Sequence, residues 1–177
     1  CYQPLNDRGL IVTPLYEEQF VLVVPNQLLQ TAYPQYSPDC AINDAHSLGE
    51  FAKLPFVAQS PDTMNGQIFQ ELCAAEDIEP NVVVFTYNLI TEISLCLEGL
   101  GACVLPGTFI APIQEKMGRR LFSLFSEKQI SQLSFFLLKS PPHKLMISVC
   151  RLRNKSITRA GREFIQLAQK MYGQPAT

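Results

Sequence analysis

The sequence contains no Cys-x-x-Cys pair, no His-Glu-x-x-His, no Gly-x-Ser-x-Gly and no glycine-rich phosphate loop. Those absences remove the commonest zinc, serine-hydrolase and nucleotide-binding chemistries. The 2 histidines, His46 and His143, are far apart in sequence, and neither has a ligand at metal spacing. Charge is sparse: 17% of the 177 residues are charged, and the net charge is −2. A free-standing nucleic-acid binder usually carries a basic footprint, and this chain as a whole does not. No apolar run approaches the roughly 20 residues that span a bilayer. The opening residues, CYQPLNDRG, lack the charged start and apolar stretch of a signal peptide. The expectation is a cytoplasmic chain with no membrane partner, no metal and no cofactor.

What is present points to a folded chain. Hydrophobic residues make up 47% of it. The length suits one domain, or two small lobes. Of the 6 cysteines, Cys73, Cys96, Cys103 and Cys150 lie inside apolar elements, where thiols act as small hydrophobes. The set reads as reduced thiols of a cytosolic protein. Cys96 and Cys103 flank one turn and form the rival pair for a disulfide or redox sensor.

The stretch Leu54–Pro106 organises the chain. Leu54–Gln59, Asn81–Phe85 and Ala102–Leu105 read as strands. Between them lie two segments of helical period. The first ends near Glu76 and buries Ile68, Phe69, Leu72, Cys73 and Ala75. Asp77 follows, where the chain must leave the helix, and aspartate tolerates the left-handed conformation. The second buries Leu89, Ile90, Ile93, Leu97 and Leu100. Gly99 and Gly101 stop it.

Outside that stretch, Phe20–Val24 is apolar on both faces, as in a strand buried on both sides, and Pro25 ends it. Residues 26–47 read as a long connection with only short helical turns. Residues 108–117 are weakly helical. Leu121–Phe125, Leu133–Leu138 and Lys144–Leu152 read as strands. A last helix spans Arg159–Tyr172 behind a Thr158 cap, with Ala160, Phe164, Leu167, Ala168 and Met171 on one face.

Each strand-to-helix junction is short and rich in hydroxyls and amides. The first holds Ser60, Asp62, Thr63 and Asn65; the second holds Thr86, Tyr87 and Asn88. In an open α/β sheet ligands bind beyond the carboxyl ends of the strands. Helix N-termini there favour a carboxylate or another small anion. Capping alone needs one such residue per helix, so the paired junctions point to ligand contact. Glu17, Glu18, Glu92 and Glu98 read as solvated surface carboxylates. Lys144, Arg151, Arg153, Lys155, Arg159 and Arg162 read as a solvated rim or a partner-facing patch.

The chain resembles the effector-binding domain of LysR-type transcriptional regulators. Pro14–Pro25 is similar to the family's pL-x-x-E-x-lvlvvP strand. Leu54-Pro55-Phe56-Val57 looks like its PFI strand. Ile78-Glu79-Pro80 resembles the GIxP turn, with Asp77 in place of glycine. Gly99–Pro106 is similar to GxGIxxLP, and Ile157–Phe164 to the closing LSPAAxxF helix, with Arg159 in place of proline.

The resemblance implies an α/β, two-lobed fold like the type 2 periplasmic binding proteins. Lobe II would be complete over 23–150, and lobe I partial over 1–22 and 151–177. The winged helix-turn-helix is absent from this chain, so DNA would be met only through a missing domain. The apolar stripe of the last helix would then lack cover. A small, anionic effector would lie in the inter-lobe cleft, on Gln59, Ser60, Asp62, Thr63, Asn65, Thr86, Tyr87 and Asn88, with Tyr2 and Gln3 from lobe I. The family pairs as a homodimer or tetramer through a lobe-II helix and strand, here 66–76 and 81–86. A transport solute-binding protein of the same fold is the second expectation, and an enzyme the third.

Overall fold

The computed structural model describes residues 9–36, 45–109, 125–139 and 145–172. The expected strand at Leu121–Phe125 and the expected helix over 108–117 lie largely outside these residues. The chain divides into two compact units, Gln19–Pro142 and Cys1–Glu18 with His143–Thr177. The sequence placed these boundaries at 22/23 and 150/151.

The larger unit is built on a mixed sheet. Strands β2 (Phe20–Pro25), β5 (Cys103–Pro106) and β6 (Leu133–Leu137) run antiparallel in the order β5-β2-β6. Strands β3 (Pro55–Gln59) and β4 (Asn81–Thr86) form a parallel pair. A parallel bridge between Phe56 and Ala102 joins β3 to the start of β5. Its hydrogen bonds run from Ala102 N–H to Pro55 O and from Val57 N–H to Ala102 O, both 2.8 Å. Gly101 permits this approach, because a Cβ there would lie 2.8 Å from the Pro55 carbonyl oxygen.

Every residue of β2 is buried. The reason is its place in the middle of the sheet, which a continuous run of Val and Leu suits. Val21 and Val23 join Ile93, Cys96, Cys103, Leu105 and Leu133 in one core cluster. A second cluster packs Phe51 against Phe136, with ring centroids 4.7 Å apart, beside Tyr33, Tyr36 and His46.

Helix α1 (Asn26–Ala32) occupies part of the stretch expected as a loop, and it buries Leu29. Helix α2 (Met64–Ala75) buries Ile68, Phe69, Leu72 and Cys73, as its spacing requires; Ala75 is exposed. Asp77 adopts φ 53°, the left-handed exit expected of it. At the end of α2, Glu76 turns its carboxylate onto the short 3₁₀ turn Leu48–Phe51. It accepts from Leu48 N–H at 3.1 Å, Gly49 N–H at 2.9 Å and the Ser47 hydroxyl. Those bonds hold its pKa below the usual carboxylate range, against the opposing effect of burial. Helix α3 (Leu89–Leu97) buries Glu92, Ile93 and Cys96, whereas Ile90 and Leu100 are exposed. The buried face is thus rotated from the one expected. A short helix α4 (Glu127–Ile130) precedes β6.

The smaller unit pairs β1 (Leu10–Glu17) with β7 (Met146–Leu152), antiparallel, with a register shift between Pro14 and Tyr16. Helix α5 (Arg159–Tyr172) packs against β1, and Thr158 Oγ1 accepts from Gly161 N–H at 3.1 Å. Ala168 is buried, but Phe164 is 62% and Leu167 55% exposed. The apolar stripe of α5 therefore stands uncovered, as the sequence suggested. Three of the basic residues nearby are used locally. Arg159 pairs with Glu163 at 2.7 Å, and Arg162 and Arg153 donate to the Ile157 and Leu10 carbonyls.

Candidate functional site

The parallel register brings the two junctions together. Gln59, the last residue of β3, is the register partner of Thr86, the last residue of β4. Ser60 N–H donates to Thr86 O at 2.7 Å. Both chains therefore leave the same end of the sheet, and each enters a helix within four residues. This is the edge at which open α/β sheets hold ligands.

The first junction is locked by its own polar groups. Thr63 donates from its backbone N–H and from Oγ1 to Ser60 O, at 2.9 and 2.8 Å. Thr63 Oγ1 also accepts from Gly66 N–H at 3.0 Å, which caps α2. Gly66 lies directly against the backbone of Gln59 and Ser60. At the second junction Asn88 Oδ1 caps α3, accepting from Ile90 and Thr91 N–H at 2.8 and 3.2 Å. Thr86 Oγ1 reaches only 3.5 Å to Asn88 O.

Thr63 and Asn88 thus act as caps, a role the sequence allowed for each. Exposure separates the rest. Tyr87 is 73% exposed, and Asp62 and Asn88 are also exposed. Ser60, Thr63 and Asn65 are half-buried, whereas Gln59 and Thr86 are buried. Tyr2 and Gln3 lie outside the described residues. No junction residue carries a positive charge. Two helix N-termini, backbone amides and hydroxyls are what this edge offers an anion.

Sequence reasoning missed one residue here. Glu92 was expected on a solvated face; it is 2% exposed. Its Oε2 accepts from Gln59 Nε2 at 2.9 Å. Burial pushes the Glu92 pKa up to about 7, and the Gln59 bond opposes that shift. The available signal was its place one helical turn after the Asn88 cap, on the α3 face that meets β3. Glu18 is likewise buried at 3% rather than solvated.

The other chemistry-bearing groups stay quiet. Cys96 and Cys103 are fully buried side by side, and hydrogen bonding to Cys96 and burial raise the Cys103 thiol well above its ordinary value. Burial raises Cys73 to about 11. Such thiols are poor nucleophiles. Among the described residues, no group of three His, Cys, Asp or Glu could hold a metal ion. Among them, too, no helix is long and apolar enough to cross a membrane.

One groove of about 500 Å³ adjoins the site on the side of α2 and β4. Gln59, Phe69, Cys73, Val82 and Phe85 are among its lining residues. Beside it β4 is an edge strand, with Val83 46% and Phe85 55% exposed.

Comparison with known proteins gives a consistent picture. The model of the LysR substrate binding domain matches residues 1–172. No curated protein sequence matches the chain. Among solved structures, the effector binding domain of QuiR in complex with shikimate is similar over 96% of this chain and 68% of its own, at 16% identity and a TM-score of 0.65. The CcmR regulatory domain of Synechocystis PCC6803 in complex with 2-PG is similar over 97% and 71%, at 14% identity and 0.65. OxyR of Corynebacterium glutamicum, a C206 mutant, is similar over 96% and 46%, at 19% identity and 0.62. At these identities the likeness is one of fold.

Proposed function

Because the chain belongs to the family of LysR substrate binding domains, we propose that it is the effector-sensing domain of a bacterial transcription regulator and holds a small anionic metabolite at its paired junctions. The observation that carries this reading is the register pairing of Gln59 with Thr86. It places two helix N-termini and their hydroxyls at one sheet edge, where an anion meets donors without a buried cation. The domain does no chemistry on its ligand. Binding changes the domain's conformation, and the regulator meets DNA through a separate DNA-binding domain. The solved structures similar in fold include full-length CbnR complexed with its target DNA.

Two of the fold's relatives hold shikimate and 2-PG, and small carboxylates are the natural probes. In a thermal-shift screen of such compounds, at least one is expected to raise the melting temperature by several degrees. Ser60→Ala and Thr86→Val should each weaken that ligand tenfold or more, about 1.4 kcal/mol, while leaving the unliganded melting temperature within a few degrees. Unchanged affinity in both variants would contradict the site.

We further propose that a second copy of the chain pairs at β4 and α2. An exposed edge strand with apolar side chains is a ready pairing surface. Light scattering should give twice 19.8 kDa for the chain and a monomer for Phe85→Asp. A wild-type chain that stays monomeric at 100 µM would contradict the pairing, on the order of the weakest specific interfaces.

A further inference from the structure

We propose that Glu92 is a positioning residue that uses one proton to decide which end of the Gln59 amide is left for a ligand. The inference rests on the reading that the paired junctions hold the effector.

Gln59 is the last residue of β3, at the sheet edge where the junctions meet. Its side chain is buried and spends Nε2 on Glu92 Oε2, at 2.9 Å. An ionised carboxylate can only accept hydrogen bonds, so it must face the amide nitrogen. That arrangement leaves the Gln59 amide oxygen and only one of the two Nε2 N–H groups for any ligand. An oxygen acceptor repels an anion. A protonated Glu92 carries an O–H donor instead. Half a turn of the Gln59 amide then lets Oε1 accept from that O–H. Nε2 is released, and both of its N–H groups become available to a carboxylate. The proton comes from bulk solvent, and no covalent bond other than the acid O–H is made or broken.

The surroundings permit this exchange. No cation among the described residues pairs with Glu92. On its own helix the facing titratable group is the Cys96 thiol, and from β5 it is the Cys103 thiol. The other strands packed against α3 are β2, β3 and β4, and they bring no titratable side chain. Among the described residues, a buried carboxyl met by one neutral amide has no cation to hold it ionised. Burial places its titration near neutrality, at about 7. An anion at the N-terminus of α3 would add like charge one turn away and draw the proton in. Anion binding and proton uptake would then be linked, each favouring the other.

The test needs no ligand. The 177-residue chain is labelled for nuclear magnetic resonance. The Glu92 Cδ and the Gln59 side-chain N–H signals are followed from pH 5.5 to 8.5. Both should move with one shared midpoint near 7. In Glu92→Gln, which keeps the shape and removes the proton, the Gln59 signals should not titrate. A Glu92 midpoint in the ordinary carboxylate range, or a Gln59 amide that stays fixed while Glu92 titrates, would overturn the proposal. A shared titration with no carboxylate bound anywhere would uphold the switch and remove the effector reading. A bound carboxylate with equal affinity at pH 6 and pH 8 would overturn the switch alone.

Discussion

Gly66→Ala is expected to destabilise the larger unit by about 3 kcal/mol, although alanine is the better helix former. In an exposed helix the same change should stabilise by about 1 kcal/mol. The difference lies in what Gly66 touches. A Cβ there would collide with the Ser60 carbonyl oxygen and lie 2.6 Å from the Ser60 carbonyl carbon and 2.7 Å from the Gln59 oxygen. These are backbone atoms of the β3–α2 junction, which cannot swing aside as a side chain would. Moving α2 away would break the Gly66–Thr63 cap bond and disturb the Ser60 contact with Thr86. The variant should therefore lose stability and ligand affinity together. Urea unfolding of the wild type and variant, followed by far-ultraviolet circular dichroism, measures the first. A variant as stable as the wild type would mean that α2 does not sit on that junction.

Glu92→Gln is expected to stabilise the chain at pH 8 and leave it nearly unchanged at pH 4. Burial raises the folded pKa of Glu92 to about 7, above its ordinary value of 4.5. A group with a raised folded pKa contributes stability that is fully present below its unfolded pKa. That contribution is lost as pH rises through the folded value. The window is therefore about pH 4.5 to 7, and the loss across it is about 3 kcal/mol. Glutamine keeps the hydrogen bond to Gln59 without the charge, so the variant should not lose this stability. Glu50 and Glu76 act in the opposite sense. The His46 bond holds Glu50 low and the Ser47 bond and backbone amides hold Glu76 low, so both favour the folded state until acid pH. Subtracting the variant's pH profile from the wild type's isolates Glu92. A difference that stays flat from pH 4 to 8 would mean that the carboxyl is solvated.

Much of the larger unit was legible in the sequence because its signals were local. The apolar run of β2, ended by Pro25, announced a central strand. The spacing of Ile68, Phe69, Leu72 and Cys73 fixed the buried face of α2. Asp77 marked the left-handed exit. Helix α3 was harder because apolar residues surround it. With Leu89, Ile90, Ile93 and Leu97 on several faces, periodicity alone did not set its rotation. Contact with β3 did, and it buried Glu92 in place of Ile90. Helix α1 was hidden by a connection whose prolines lie beyond it, at Pro34 and Pro38.

At the site, the sequence supplied the residue types and the junctions, and pairing supplied their meaning. Gln59 and Thr86 are 27 positions apart, and only the parallel register of β3 and β4 sets them side by side. Thr63 and Asn88 showed their capping roles only through their bonds to Gly66, Ile90 and Thr91. The stripe of α5 was legible as amphipathic, and its exposure followed from the two-stranded ribbon beside it, which covers only one side.

The most direct test is a crystal structure of this chain with the carboxylate that stabilises it most. The account predicts the carboxylate at the N-termini of α2 and α3, within hydrogen-bond reach of Ser60 or Asn65 and of Thr86 or Asn88. A carboxylate bound elsewhere, with both junctions unchanged and empty, would contradict it.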